Sequence, residues 1–289
     1  MRILVKTKKL KHNARGTFTH DFYMELRRQA DVSFSYENPG GEYDVCIGGK
    51  GKVSVKIQTD IHKSKRHATP QELAKSLMDF DIVLMRYVYI TYPGIPVTFY
   101  KDKLGDKAIF FPWSMCHNRW QYSERKDNDV CMLGTSNEMY PIRAAAKSLL
   151  PDTGYSYIMG NLPMTVKQDN TAIKKKLKNV FMGDSYIKAL QRSKVMITDA
   201  SRYGCPVKKY IEAMAAGCLL VADRPHHADE LGLVDGENYV EISKDNWREK
   251  LDYYLNNDTE RLRITRNARE LFERKHTNKV RVKELLSIL

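Results

Sequence analysis

Asp199–Pro225 reads DASRYGCPVKKYIEAMAAGCLLVADRP, and the order of its parts decides the fold. An apolar run, Val195–Asp199, leads into a polar turn containing Gly204. A helical stretch, Pro206–Ala216, follows; Gly217 closes it, and a second apolar run, Cys218–Asp223, comes straight after. Strand, turn, helix and strand in that succession form the repeating unit of parallel sheets. Val207, Tyr210, Ile211 and Met214 fall at i, i+3, i+4 and i+7, which predicts one buried helix face. Lys208, Lys209 and Glu212 are left on the polar side, within reach of one another at i+3 and i+4. Pro206 suits the first helical position and Gly204 a tight entry turn. The free amides and the positive dipole end then make an anion site fit for a diphosphate. Gly217 is a C′ residue that lets the helix pack closely on the next strand.

The same alternation extends in both directions. Upstream, Arg2–Thr7, Val32–Tyr36, Tyr43–Gly48, Val53–Ile61, Asp81–Tyr87 and Ala108–Pro112 read as strands, with helices expected over Thr17–Ala30 and Thr69–Asp79. Residues 114–129 are polar and aperiodic, which suggests a hinge, and the pattern then restarts. Asp129–Gly134 and Tyr155–Met159 are expected strands, Tyr140–Leu150 is an expected helix, and Tyr186–Arg192 lies in another. After the Asp199–Pro225 block come a last strand at Tyr239–Ile242 and three helical stretches, roughly 245–256, 258–274 and 277–288. The expectation is α/β architecture with two Rossmann-like domains, 1–120 and 128–276, helix 277–289 packing back on the first. Ligands of such sheets bind beyond the carboxyl ends of the strands, so the loops after Thr7, Gly134, Asp199 and Asp223 are where function is sought.

Composition narrows the classes. Of 289 residues, 42% are hydrophobic and 29% charged, a globular balance. No apolar run is long enough to cross a bilayer, and MRILVKTKKLKH lacks the apolar core of a signal peptide, so a soluble cytoplasmic protein is expected. Five cysteines without metal-ligand spacing suit a reduced interior, Cys46, Cys131 and Cys218 reading as small buried hydrophobes. The net charge of +13 favours anionic partners: nucleotides, nucleic acid or an acidic membrane surface. Part of it lies in Lys174–Lys178 and part in residues 1–30; each cluster also reads as a solvated surface.

The segment EAMAAGCLLVADRP resembles the donor-site motif of GT-B glycosyltransferases. GDSYIKALQRSKVMI, KKYIEAMAAG, DGENYVEI, DYYLNNDTERLRI and HTNKVRVKELL follow the order seen in the spore-maturation-protein-like branch of that fold. The resemblance is strong over 129–289 and loose before it. It implies two domains facing across a cleft and a nucleotide-sugar donor, UDP-linked, with no cofactor and no required metal. Glu212 would bind the ribose and Lys209 would face the donor phosphates. Gly134 and Ser136 would line the site with Arg143 behind them. Ser201, Gly204 and Lys208 at the helix entry complete the expected donor set. Tyr186 stands at a usually aromatic position and also reads as a core tyrosine.

Retaining members often carry a second glutamate seven residues before the first, at what is Gly204 here. That departure leans toward inversion, which needs a general base on the acceptor side. His20 and Asp21, after the first strand, and Asp60 and His62, after the fourth, are candidate bases. His20 and Asp21 also fit an ordinary helix start, and Asp60 and His62 supply only two metal-type ligands. Gly48–Lys52 lacks the spacing of a phosphate loop. His226 and His227 could touch sugar or acceptor, or lie in a solvated loop, and Trp113, His117 and Trp120 could pack between domains or stack on a sugar. The acceptor is expected to be a glycan or another hydroxyl compound. Two alternatives stay open: an enzyme glucosylating modified bases in DNA, and a non-catalytic nucleotide-binding module.

Overall fold

The computed structural model describes residues 1–6, 18–35, 42–49, 51–58, 69–123, 125–160, 181 and 183–289. The chain divides into two compact units: Met1–Cys116 with Lys275–Leu289, and His117–Arg274.

In the first unit the described elements run β1 (Arg2–Val5), α1 (Phe18–Gln29), β2 (Asp31–Phe34), β3 (Val45–Ile47), β4 (Val53–Gln58), α2 (Pro70–Leu77), β5 (Ile82–Met85), α3 (Phe99–Leu104) and β6 (Ala108–Phe110). The strands pair in parallel in the order β2-β1-β3-β4-β5-β6. The sequence order therefore reverses between β1 and β3. Helix α2 starts as its residues dictate: the Thr69 hydroxyl accepts from Glu72 N–H and the Glu72 carboxylate accepts from Thr69 N–H, with Pro70 in the first turn. Helix α1 turns Phe22 and Leu26 into a core with Ile3, Val5, Phe34 and Val45.

The second unit runs β7 (Asn128–Leu133), α4 (Pro141–Leu149), β8 (Tyr157–Gly160), α5 (Asp184–Gln191), β9 (Ser193–Ile197), α6 (Lys209–Ala216), β10 (Leu219–Ala222), α7 (Ala228–Leu231), β11 (Val240–Glu241), α8 (Trp247–Asn256) and α9 (Asp258–Leu271). Its parallel sheet is ordered β11-β10-β9-β7-β8. The order reverses between β7 and β9, so the loops leaving those two neighbours diverge and open a crevice at their carboxyl ends. A π-helical turn, Phe272–His276, leads on to α10 (Asn278–Ile288). Val282 and Leu285 of α10 are fully buried in the core of the first unit.

Two Rossmann-like units match the α/β architecture expected, and the element limits agree with the sequence pattern to within a few residues. Two short helices, α3 and α7, escape that pattern because neither is long enough to show a period. Of residues 114–129, expected as a hinge, the described ones from His117 onward belong to the second unit. Trp120 is buried edge-on to Tyr186, and the Tyr122 ring lies 2.3 Å from where a Cβ on Gly217 would stand. Lys126 donates to Gly217 O, and Arg269 donates to Ala215 O and Trp120 O, so cations cover the carbonyl end of α6. Among the described residues no helix is long and apolar enough to cross a membrane.

Candidate functional site

The reversal between β7 and β9 is where the expected donor residues meet. Gly134 follows β7 with φ 118°, a backbone state that excludes ordinary side chains. Space excludes one too: a Cβ there would lie 2.8 Å from Arg143 Nη1, 2.9 Å from Lys209 Cε and 3.0 Å from Lys209 Nζ. Two cations from different helices thus converge on one glycine. Arg143 is held from the β9 side. Its Nε donates to Asp199 Oδ1 at 2.7 Å, both side chains being 1% exposed or less. Asp199 Oδ2 meanwhile accepts from the amides of Ile142 and Arg143 in the first turn of α4. The guanidinium also lies 3.8 Å from the centroid of the Tyr140 ring. A buried carboxylate at a helix start, locked to an arginine of that helix, fixes the loop geometry on both sides of the crevice.

Helix α6 brings Lys209 and Glu212. It begins later than the sequence suggests: Pro206 lies three residues ahead of its first residue. Cys205 and Pro206 are buried and anchor the entry segment, and the first bonds, Tyr210 N to Val207 O and Ile211 N to Lys208 O, span three residues. No side chain caps the start, so its first amides stay outside the i→i−4 ladder. The polar side expected for Glu212 is also absent, because α6 is buried almost all round. Glu212 is only 3% exposed. Its Oε2 accepts from the Tyr186 hydroxyl at 2.6 Å, and its Oε1 pairs with Lys208 Nζ at 2.8 Å.

Electrostatics follow from that packing. Burial alone would raise the Glu212 pKa, but the charges of Lys208 and Lys209 and the hydrogen bonds from Lys208 and Tyr186 outweigh it and hold the carboxyl below 4.5. Burial brings Lys209 down to about 8; Glu212 opposes the shift and Arg143 and Lys208 add to it. Burial, reinforced by Glu212, keeps the Tyr186 phenol protonated. Lys208, Lys209 and Arg143 face two carboxylates, Glu212 and Asp199, which leaves an excess of positive charge beside an uncapped helix start. Such a place attracts a phosphate-bearing ligand.

The other expected residues fall in varied settings. Ser136 Oγ donates to Gly134 O at 3.4 Å, inside the same loop. Ser201, with φ 64°, builds a turn: its carbonyl accepts from Gly204 N–H and its hydroxyl from Tyr203 N–H. Gly204 also has positive φ, 68°, and the His226 ring rests against it. Tyr186, 7% exposed, is a core tyrosine that acts on the site through Glu212. In the first unit, His20 and Asp21 lie near the start of α1, beyond β1, with His20 Nδ1 3.3 Å from Asp21 Oδ1. Asp60, His62 and Lys174–Lys178 lie outside the described residues. Trp113 stacks within the first unit on buried Arg86, 4.7 Å from its ring centroid. Asp199 was missed by the sequence reading, although an acid closing the apolar run VMITD is a usable signal. Nothing in sequence announces Tyr210 and Asp223, whose hydroxyl and carboxylate meet at 2.8 Å below the loop after β10.

Residues 150–287 match the family described as glycosyl transferase-like. HepE of Anabaena in complex with UDP-glucose is similar in structure, with a TM-score of 0.66 at 13% identity over 100% of both chains. An alpha-glucosyltransferase in complex with UDP-glucose and DNA containing an abasic site gives 0.64 at 11% identity, over 100% of this chain and 99% of that one. Sucrose-phosphate synthase of Thermosynechococcus elongatus gives 0.60 at 11% identity, over 94% and 77%. No curated protein matches the chain in sequence. The fold shared with these structures is that of the GT-B glycosyltransferases. The segment that resembles the glycosyl transferase-like family includes α5, α6 and Glu212.

Proposed function

We propose that the protein transfers a sugar from a UDP-linked donor to a hydroxyl group of a glycan or other acceptor. The observation behind this reading is the convergence of Lys209 and Arg143 on Gly134, one helical turn from Glu212. In it, Lys209, Arg143 and the uncapped start of α6 receive the diphosphate, and Glu212 accepts hydrogen bonds from the ribose hydroxyls. The bound UDP-glucose of HepE and of the alpha-glucosyltransferase supports a uridine donor. Lys209 and Arg143 would stabilise the departing diphosphate in the role a metal plays elsewhere, so transfer is metal-independent in this reading. Gly204 supplies no carboxylate near the sugar, and we assign inversion, with His20 or Asp21 of the first unit, or Asp60 or His62, as general base.

Calorimetry with UDP tests the donor site. Wild type binds, and Glu212→Ala loses about tenfold or more, the equivalent of the roughly 1.5–3 kcal/mol of charge-assisted hydrogen bonds. Absence of binding to wild type, or equal binding to the variant, sinks the assignment. DNA as acceptor is a second reading, favoured by the net charge of +13 and by the DNA-bound structural relative. Under it a gel shift on duplex DNA weakens steeply with salt; salt-independent retention or none at all rejects it.

A further inference from the structure

The carboxylate assigned to the ribose is engaged on both oxygens by the protein itself. Glu212 Oε2 accepts from the Tyr186 hydroxyl at 2.6 Å, and Oε1 holds Lys208 Nζ at 2.8 Å. The two partners differ in kind. Tyr186 is a buried ring packed edge-on to Trp120, so its bond comes from the core and is fixed there. Lys208 stands immediately before α6, and its side chain is 38% exposed while that of Glu212 is 4% exposed. With Tyr186 buried on one oxygen, the oxygen nearer solvent is the one that Lys208 covers. A hydroxyl that seeks Glu212 therefore meets the Lys208 ammonium first, and it gains the carboxylate only as that ion pair opens. Opening has a cost, because a buried carboxylate oxygen loses a charged partner.

The place Lys208 has to move into is already positive. Lys209 Nζ and Arg143 Nη1 converge within 3.0 Å of one point over Gly134. The charges of Arg143 and Lys208 both act against the protonated form of Lys209, so the three cations repel one another. Repulsion from Lys209 and Arg143 and attraction to Glu212 thus keep Lys208 on the carboxylate. A diphosphate received by Lys209, Arg143 and the uncapped start of α6 reverses the sign of that corner and attracts Lys208 instead. The phosphates would then release the carboxylate that the ribose needs. A nucleoside without phosphates has to open the same ion pair and has nothing to give the freed cation.

We propose that Lys208 is a positioning residue that keeps Glu212 covered until a diphosphate draws it away, which makes the site select nucleoside diphosphates over bare nucleosides. This inference rests on the nucleotide-sugar reading above. It is tested by calorimetry with UDP, and with uridine by displacement of UDP, on wild type, Lys208→Met and Lys208→Arg. In Lys208→Met the two affinities move in opposite directions: uridine binds about threefold tighter or more and UDP about threefold weaker, so their ratio falls about tenfold. A merely structural lysine would weaken both, and a simple phosphate contact would weaken UDP alone. Lys208→Arg, which keeps the cation, holds the ratio to within about threefold of wild type. In a Glu212→Gln background Lys208→Met no longer tightens uridine, because a neutral amide leaves no ion pair to open. Uridine affinity unchanged or lower in Lys208→Met, or UDP and uridine changing in step, overturns the proposal while leaving the donor site standing. Failure of wild type to bind UDP overturns both.

Discussion

Replacing Tyr186 with phenylalanine isolates the bond that holds Glu212. The ring keeps its edge-on packing against Trp120, 6.4 Å between centroids, and only the hydroxyl is lost. That hydroxyl donates to Glu212 Oε2 at 2.6 Å between side chains 7% and 3% exposed, so no bulk water replaces it. A hydrogen bond to a charged group is worth about 1.5–3 kcal/mol. Lys208 still serves the other oxygen, so we expect a loss of about 2 kcal/mol at pH 7. For a unit of about 150 residues each kcal/mol moves the midpoint by roughly 2–4 °C, giving a fall of roughly 4–8 °C. The pH dependence has a definite sign. Glu212 is held below 4.5, so its stabilisation is present above that pH and disappears as pH falls through the folded value. The gap between wild type and Tyr186→Phe is therefore full at pH 7 and narrows at pH values below 4.5. Melting curves at both pH values, repeated in a Glu212→Gln background, read this directly. Equal melting at pH 7, a gap that persists unchanged in acid, or full additivity with Glu212→Gln refutes the account.

Lys209, near 8 because of burial, is partly neutral at mildly alkaline pH, and a diphosphate beside it draws the proton back. UDP binding at pH 8–9 should take up a proton, seen as a buffer-dependent calorimetric enthalpy, and affinity should fall by at most about tenfold per pH unit through this range. Lys209→Met removes both effects; a buffer-independent enthalpy in wild type contradicts the reading. Leu285→Ala empties a fully buried position in the first unit and should cost about 2–5 kcal/mol by denaturant titration. UDP binding by the second unit should persist in that variant, and a chain ending at Lys275 that melts like the full chain would show that α10 does not stabilise the first unit.

Alternation was readable because periods of two and of 3.6 are local properties: β7, β9, β10 and the helices between them follow from the spacing of their apolar residues. The helix of Lys209 and Glu212 was readable for the same reason, and Gly217 as its end. Its start was misplaced by three residues, because Pro206 tolerates either a helical first turn or the buried entry segment that it occupies. The expectation of a solvated polar side failed for a different reason. Helix α6 is covered by α5, α9 and the segment around Trp120, all distant in sequence, so no window containing Glu212 reveals that its carboxylate is buried.

Sequence by itself determined that this is an α/β protein with a basic helix start, a glutamate one turn on and glycines at the turns, since those depend on neighbours within a few residues. Only the tertiary structure decided what each charge faces. Arg143 meets Asp199 across 56 positions, Tyr186 reaches Glu212 across 26, and Lys209 comes to rest over Gly134. Those pairings arise because a parallel sheet that reverses its order between β7 and β9 brings the ends of separate crossovers to one place. Burial there makes each missing partner costly, and that cost turns a set of plausible residues into one defined site.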